Sequence, residues 1–164
     1  MGIQNYEQIS QFTLDDKLLE ELIHKQTECS LVWNTREGWP TGCIMAFVYK
    51  HDRFWLTAAE RRARISAIRR FPRASVCVNS TGSSMGGGKT VTYKGSCIVH
   101  DDRATKDWFY PEFSASLRPD NAAAAAAFQK FLDSPHRVII EFIPDYTLSF
   151  DANLMWARSP DAVK

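Results

Sequence analysis

Leu14, Leu18, Leu19, Leu22 and Ile23 recur at helical spacing and predict an amphipathic helix over about residues 13–26. Thr13 followed by Asp16 resembles a capping box at its start, with aspartate in place of the usual glutamate. The period then changes. Short apolar or alternating runs at 29–34, 42–49, 54–57, 74–79, 90–99 and 137–150 predict strands. The run 42–49 is nonpolar on both faces, as in a strand buried on both sides or against a partner. In the run 90–99, Val91, Tyr93, Cys97 and Val99 share a face, and Gly95 interrupts the pattern as a bulge or close backbone approach does. Pro144 interrupts the last run and places that point at an edge or a bulge.

Between two of the strands lies a short basic helix. Six arginines fall between Arg61 and Arg73, and Pro72 ends the helix near Arg70, because the residue before a proline avoids the α region. Arg61, Arg62 and Arg64 stand at the helix start, where the macrodipole already places partial positive charge. Each misplaced cation costs about 0.3–1 kcal/mol there. A phosphate bound at that end removes the conflict, because free N–H groups and guanidinium forks both suit it. The bland alternative is a solvated basic helix, with Arg69 and Arg70 favourably placed at its C-terminus.

Residues 80–88, STGSSMGGG, read as a flexible loop, and residues 103–112 are ambiguous between loop and one or two helical turns. Residues 122–132 open with six alanines and predict a helix. A C-terminal helix and strand thus occupy about 121–150. Four to six short antiparallel strands with few helices fit a mainly β fold, a small barrel with helical covers.

Composition narrows the function. A chain of 164 residues with 45% hydrophobic and 24% charged positions is expected to form one domain with a real core. The net charge of +1 disfavours a general nucleic-acid binder, and the arginines cluster on one helix instead of alternating with stacking residues. No apolar run is long enough to span a bilayer. The first residues lack a basic stretch followed by an apolar one, and Tyr6 stands where acylation at Gly2 asks for Ser or Thr. A cytoplasmic location is expected. Cys29, Cys43, Cys77 and Cys97 form no C-x-x-C pair, and the four histidines show no ligand spacing, so reduced thiols and no metal are expected.

Two motifs are near misses. Gly82–Gly86 matches G-x-S-x-G around Ser84, but that motif needs a helix after it, and a β-alternating run follows here. Gly88-Lys89-Thr90 resembles the end of a P-loop, yet Ser83 occupies the position of the required glycine.

Three stretches together resemble the pyridoxamine 5′-phosphate oxidase-like family of flavin-binding split barrels. The first runs from Thr57 through Arg62-Ala63-Arg64 and Ile68 to Phe71-Pro72 and Ser75-Val76. It is similar to the family pattern T…S-R-K-x-x-x-L-x-x-N-P-x-x-S-L. The second is KTVTYKG, residues 89–95, beside R-Q-V-x-V-x-G, and the third is the tail VIIEFIPDYTLSFD. The resemblance spans roughly residues 29–151. It implies an antiparallel Greek-key split barrel acting as a homodimer, with FMN between subunits.

Counting back from Pro72, the resemblance places Arg64 on the family's phosphate-binding lysine. Arg62, at the serine position, joins it at the phosphate by proximity, and Thr57 assists after a one-residue shift. Met45 and Ala46 present backbone to the ring, Trp55 helps form an apolar slot, and Lys89 and Thr90 come from the partner chain. No catalytic side chain is implied, since the cofactor carries the hydride. The oxidases' R-x-V-L-L-K strand has no counterpart near residues 41–47, and their substrate-binding R-x-x-P and Trp-Gln-Gly segment is lacking. Vitamin B6 oxidation is therefore not expected. The implied function is a flavin-dependent oxidoreductase acting on an unidentified small molecule. The alternatives are a deazaflavin-dependent reductase and a non-enzymatic flavin- or heme-binding module.

Overall fold

The computed structural model describes residues 8–159, so most of the N-terminal stretch read for a leader or for acylation lies outside the described residues. The strands are β1 (Glu28–Asn34), β2 (Pro40–Ala46), β3 (Val48–Lys50), β4 (Arg53–Ala59), β5 (Arg73–Asn79), β6 (Lys89–His100) and β7 (Arg137–Asp151). They form one seven-stranded sheet in the order β2-β1-β5-β6-β7-β4-β3, every pair antiparallel. Because β4 lies beside β7 and not beside β5, the arrangement is a Greek key. The fold is mainly β, as the strand pattern predicts.

The apolar run 42–49 is not one strand. It breaks at Phe47, with β2 pairing to β1 and β3 pairing to β4 at opposite edges of the sheet. Successive Cα atoms are only about 3.8 Å apart, so one connecting residue forces the two edges together and the sheet to curl. Nothing in the run's composition marks that break, because Phe47 is itself buried in the core.

Alternation divides the sheet into two faces. Phe54, Leu56 and Ala58 of β4, with Val138, Ile140 and Phe142 of β7, join the larger core. Helices α1 (Asp16–Lys25) and α2 (Ala63–Arg70) contribute Leu22, Ile23, Ile65 and Ile68 to it. Trp55 and Ile139 point the other way, into a second core with Phe109, Tyr110, Phe113 and Leu132. Those come from α3 (Arg103–Leu117) and α4 (Ala122–Leu132). Residues 103–112 thus belong to a 15-residue helix, capped by the Asp102 side chain accepting from the Thr105 N–H, with Pro111 inside it. A short helix α5 (Ala152–Ala157) follows β7.

The cap of α1 also differs from expectation: Asp15, and not Thr13, accepts from the Leu18 N–H at 2.8 Å. The two irregularities read in β6 and β7 are one feature. The register slips at Lys94/Gly95, and Gly95 stands opposite Pro144. A Cβ on Gly95 would lie 2.1 Å from the Ile143 carbonyl oxygen, so only glycine fits. The four cysteines are free thiols, and burial raises Cys29 and Cys97 to about 12.

Candidate functional site

The basic helix begins as the charges suggested. Arg62 fills the N-cap position of α2, and no side chain caps the helix. An uncapped first turn leaves N–H groups free for an anion. The preceding strand, β4, carries Thr57 on the face that meets α3. Its hydroxyl donates to the Val138 carbonyl oxygen at 3.0 Å and lies 3.5 Å from Nε of Arg137. The β4–β7 register pairs Ala59 with Arg137, bringing that arginine to the end of β4 from which the chain enters α2.

Arg137 is half-buried. Burial pushes its guanidinium below its ordinary value, Tyr110 opposes the shift, and the charge of Arg62 adds to it. Arg62, exposed at the N-cap of α2, thus lies within electrostatic reach of the half-buried Arg137. Among the described residues neither has a carboxylate within 4.0 Å. Tyr110 is 1% exposed, and its hydroxyl is buried without a hydrogen-bond partner among those residues. Burial raises that hydroxyl above its usual value, while a long polar contact with the Thr57 hydroxyl, outside hydrogen-bond geometry, and the Arg137 charge act in the opposite sense. Lys106, one helical turn before Tyr110 on α3, is 7% exposed and likewise has no carboxylate within 4.0 Å.

Unpaired buried polar groups are costly, and repelling cations add to the cost. A phosphate would offset both. At the start of α2 it would accept from Arg62 and Arg137, with the buried Tyr110 hydroxyl behind Arg137.

The other sequence-derived residues are distributed around this point. Arg64 turns away from it: Nη1 lies 3.1 Å from the Cys43 sulfur, and the guanidinium stands 5.9 Å from the Trp33 ring centroid. Trp55 is buried, donates its indole N–H to the Lys50 carbonyl, and packs edge-on against Trp108 at 4.8 Å. Met45 points into the larger core and Ala46 packs against the α3 side, both on edge strand β2. Lys89 and Thr90 open β6, whereas Thr57 is level with the far end of that strand, through Ile139 and His100. Within one chain they do not meet Thr57. Arg137 and Tyr110 were not legible as candidates, because Arg137 reaches the start of α2 through the β4–β7 pairing and Tyr110 reaches Arg137 through the docking of α3.

No family model and no curated protein matches the sequence. Solved structures match its fold. A conserved hypothetical protein from Mycobacterium tuberculosis superposes with a TM-score of 0.72 at 13% identity, over 85% of this chain and 86% of that one. A FAD-binding protein from Mesorhizobium loti gives 0.64 at 18% identity, over 85% and 96%. A protein of the pyridoxinephosphate oxidase family from Clostridium acetobutylicum gives 0.58 at 15% identity, over 87% and 99%. The chain has the pyridoxamine 5′-phosphate oxidase-like fold. An F420 reductase shares it, with a TM-score of 0.61 at 17% identity over 79% and 94%. In this chain's version of the pyridoxamine 5′-phosphate oxidase-like fold, the cationic cluster sits where β4 passes into α2.

Proposed function

We propose that the chain binds FMN as a homodimer and acts as a flavin-dependent oxidoreductase on a small molecule. The observation that carries this reading is the anion cradle: unpaired Arg62 and Arg137, the orphaned Tyr110 hydroxyl and the uncapped start of α2. Arg62 and Arg137 hold the phosphate, Thr57 orients Arg137, and Tyr110 donates a hydrogen bond. Edge strand β2 offers backbone at Met45 and Ala46 to the ring, and Trp55 with its neighbours keeps water from that side. Bound flavin supplies the electron-accepting centre, and the chain supplies binding and orientation. The FAD-binding and pyridoxinephosphate oxidase family structures of the same fold support a flavin.

The homodimer rests on an uncovered sheet face. Ile44, Ser30, Cys77, Thr92 and Leu148 form one row across β2, β1, β5, β6 and β7. Its ends are exposed and apolar, Ile44 at 69% and Leu148 at 49%, and its middle is small. A second subunit seated there covers both ends, and Thr90, one row away, belongs to the rim it would share.

Deazaflavin is the second reading, favoured by the F420 reductase of the same fold. Its phosphate suits the same cradle. Parallel titrations of purified protein with FMN and with the deazaflavin decide between them. Protein that is colourless and binds neither would overturn the proposal.

A further inference from the structure

A cavity of about 560 Å³ lies between helix α1 and the turn joining β3 to β4. Its volume suits a small organic ligand. Its walls carry the two kinds of group that recognise a cation, aromatic rings and carboxylates. Tyr93 is 7% exposed, and its ring packs 5.2 Å from that of Phe54. Its hydroxyl has no hydrogen-bond partner among the described residues, and the residue lines the cavity. Tyr49 forms the adjoining wall, edge-on to Phe54 at 4.9 Å. Asp52 lies beside the Tyr49 hydroxyl, which burial first and then that carboxylate raise above its ordinary value.

Asp16 and Glu20 add two more carboxylates from α1, while Leu19 and Ile23 supply an apolar floor. The opposing charges are weaker. Lys50 pairs with Glu112 and stands 4.8 Å from the Trp108 ring centroid, so its charge is committed to α3. His24 lies 4.0 Å from Glu20, and His51 completes the cationic side. This cavity shares no residue with the anion cradle.

We infer that the cavity binds a small organic ammonium ion. Its charged head sits between the Tyr49 and Tyr93 rings and the Asp52 carboxylate, and its carbon chain lies against Leu19 and Ile23. The inference is independent of the flavin reading.

Calorimetric titration of the full chain with n-butylammonium, and with n-butanol as its neutral counterpart, tests it. Butylammonium should bind about tenfold more tightly than butanol, the size of a desolvated cation–aromatic contact. Asp52→Asn should lower butylammonium affinity by about fivefold or more and leave butanol unaffected. Asn tolerates the positive φ of 59° at this position, so the turn is preserved. Tyr93→Phe, which keeps the ring and removes the oxygen that accepts from the ammonium N–H, should weaken butylammonium binding in the same direction. FMN affinity should not change in either variant. Equal binding of the two ligands, no binding of either, or undiminished affinity in both folded variants would overturn the inference.

Discussion

The Thr57 hydroxyl and the Arg137 side chain meet 3.5 Å apart, 80 residues distant in sequence and joined by the β4–β7 register. That pairing makes a cationic corner out of residues that no local pattern groups together.

Removing one charged donor from a phosphate typically costs about 1.5–3 kcal/mol. Arg62→Ala and Arg137→Ala should therefore each weaken FMN binding by roughly ten- to hundredfold. Arg70→Ala, at the exposed far end of α2, should leave it unchanged. Arg64→Ala distinguishes two arrangements. With its guanidinium held against Cys43 and Trp33, it should alter thermal stability more than affinity. A loss as large as that of Arg137→Ala would assign Arg64 to the phosphate as well. Equal losses in all four variants would reduce the helix to a generic basic surface.

Tyr110→Phe should separate stability from binding. Deleting a buried hydroxyl that has no partner removes a desolvation cost of about 1–3 kcal/mol. The ligand-free variant should unfold at a higher temperature than the wild type and bind FMN more weakly. A lower melting temperature together with unchanged affinity would show that the hydroxyl serves the fold.

Helix α1 offers a direct test of its cap. Asp15→Ala should cost about 1 kcal/mol, and Thr13→Ala should cost almost nothing. Denaturant titration of both variants checks the assignment.

Gly95→Ala drives a methyl group into the Ile143 carbonyl oxygen. The loss should reach at least about 2 kcal/mol, lowering the melting temperature by roughly 4–8 °C. A melting temperature within a degree of wild type would mean that the bulge relaxes freely.

The strands were legible where alternation was strong. The β6 pattern gave its faces correctly, and Gly95 and Pro144 each marked an irregularity, although only the register shows that they face one another. Alanine propensity located α4 at 122–132, as observed. Only one or two turns of the long α3 were legible, since Pro111 lies inside it, even though Asp102 and Thr105 carry a readable cap. At the candidate site, Arg62 was singled out by its charge at the helix start and Thr57 by the resemblance, whereas Arg137 and Tyr110 were not, since cross-strand pairing and helix docking leave no periodic trace in a single chain.

The single-residue connection at Phe47 bears on the order in which the chain can assemble. Strand β3 and strand β4 form early from adjacent sequence, but the other side of β4 must wait for β7. At ribosomal rates of about 5–20 residues per second, the interval between Ala59 and Asp151 is roughly 5–20 seconds. Through that time Trp55, Leu56 and Phe54 lie on a nascent strand with an unpaired flank, open to other chains. Chains cut before residue 137 should collect in inclusion bodies, whatever the condition of the strands already made.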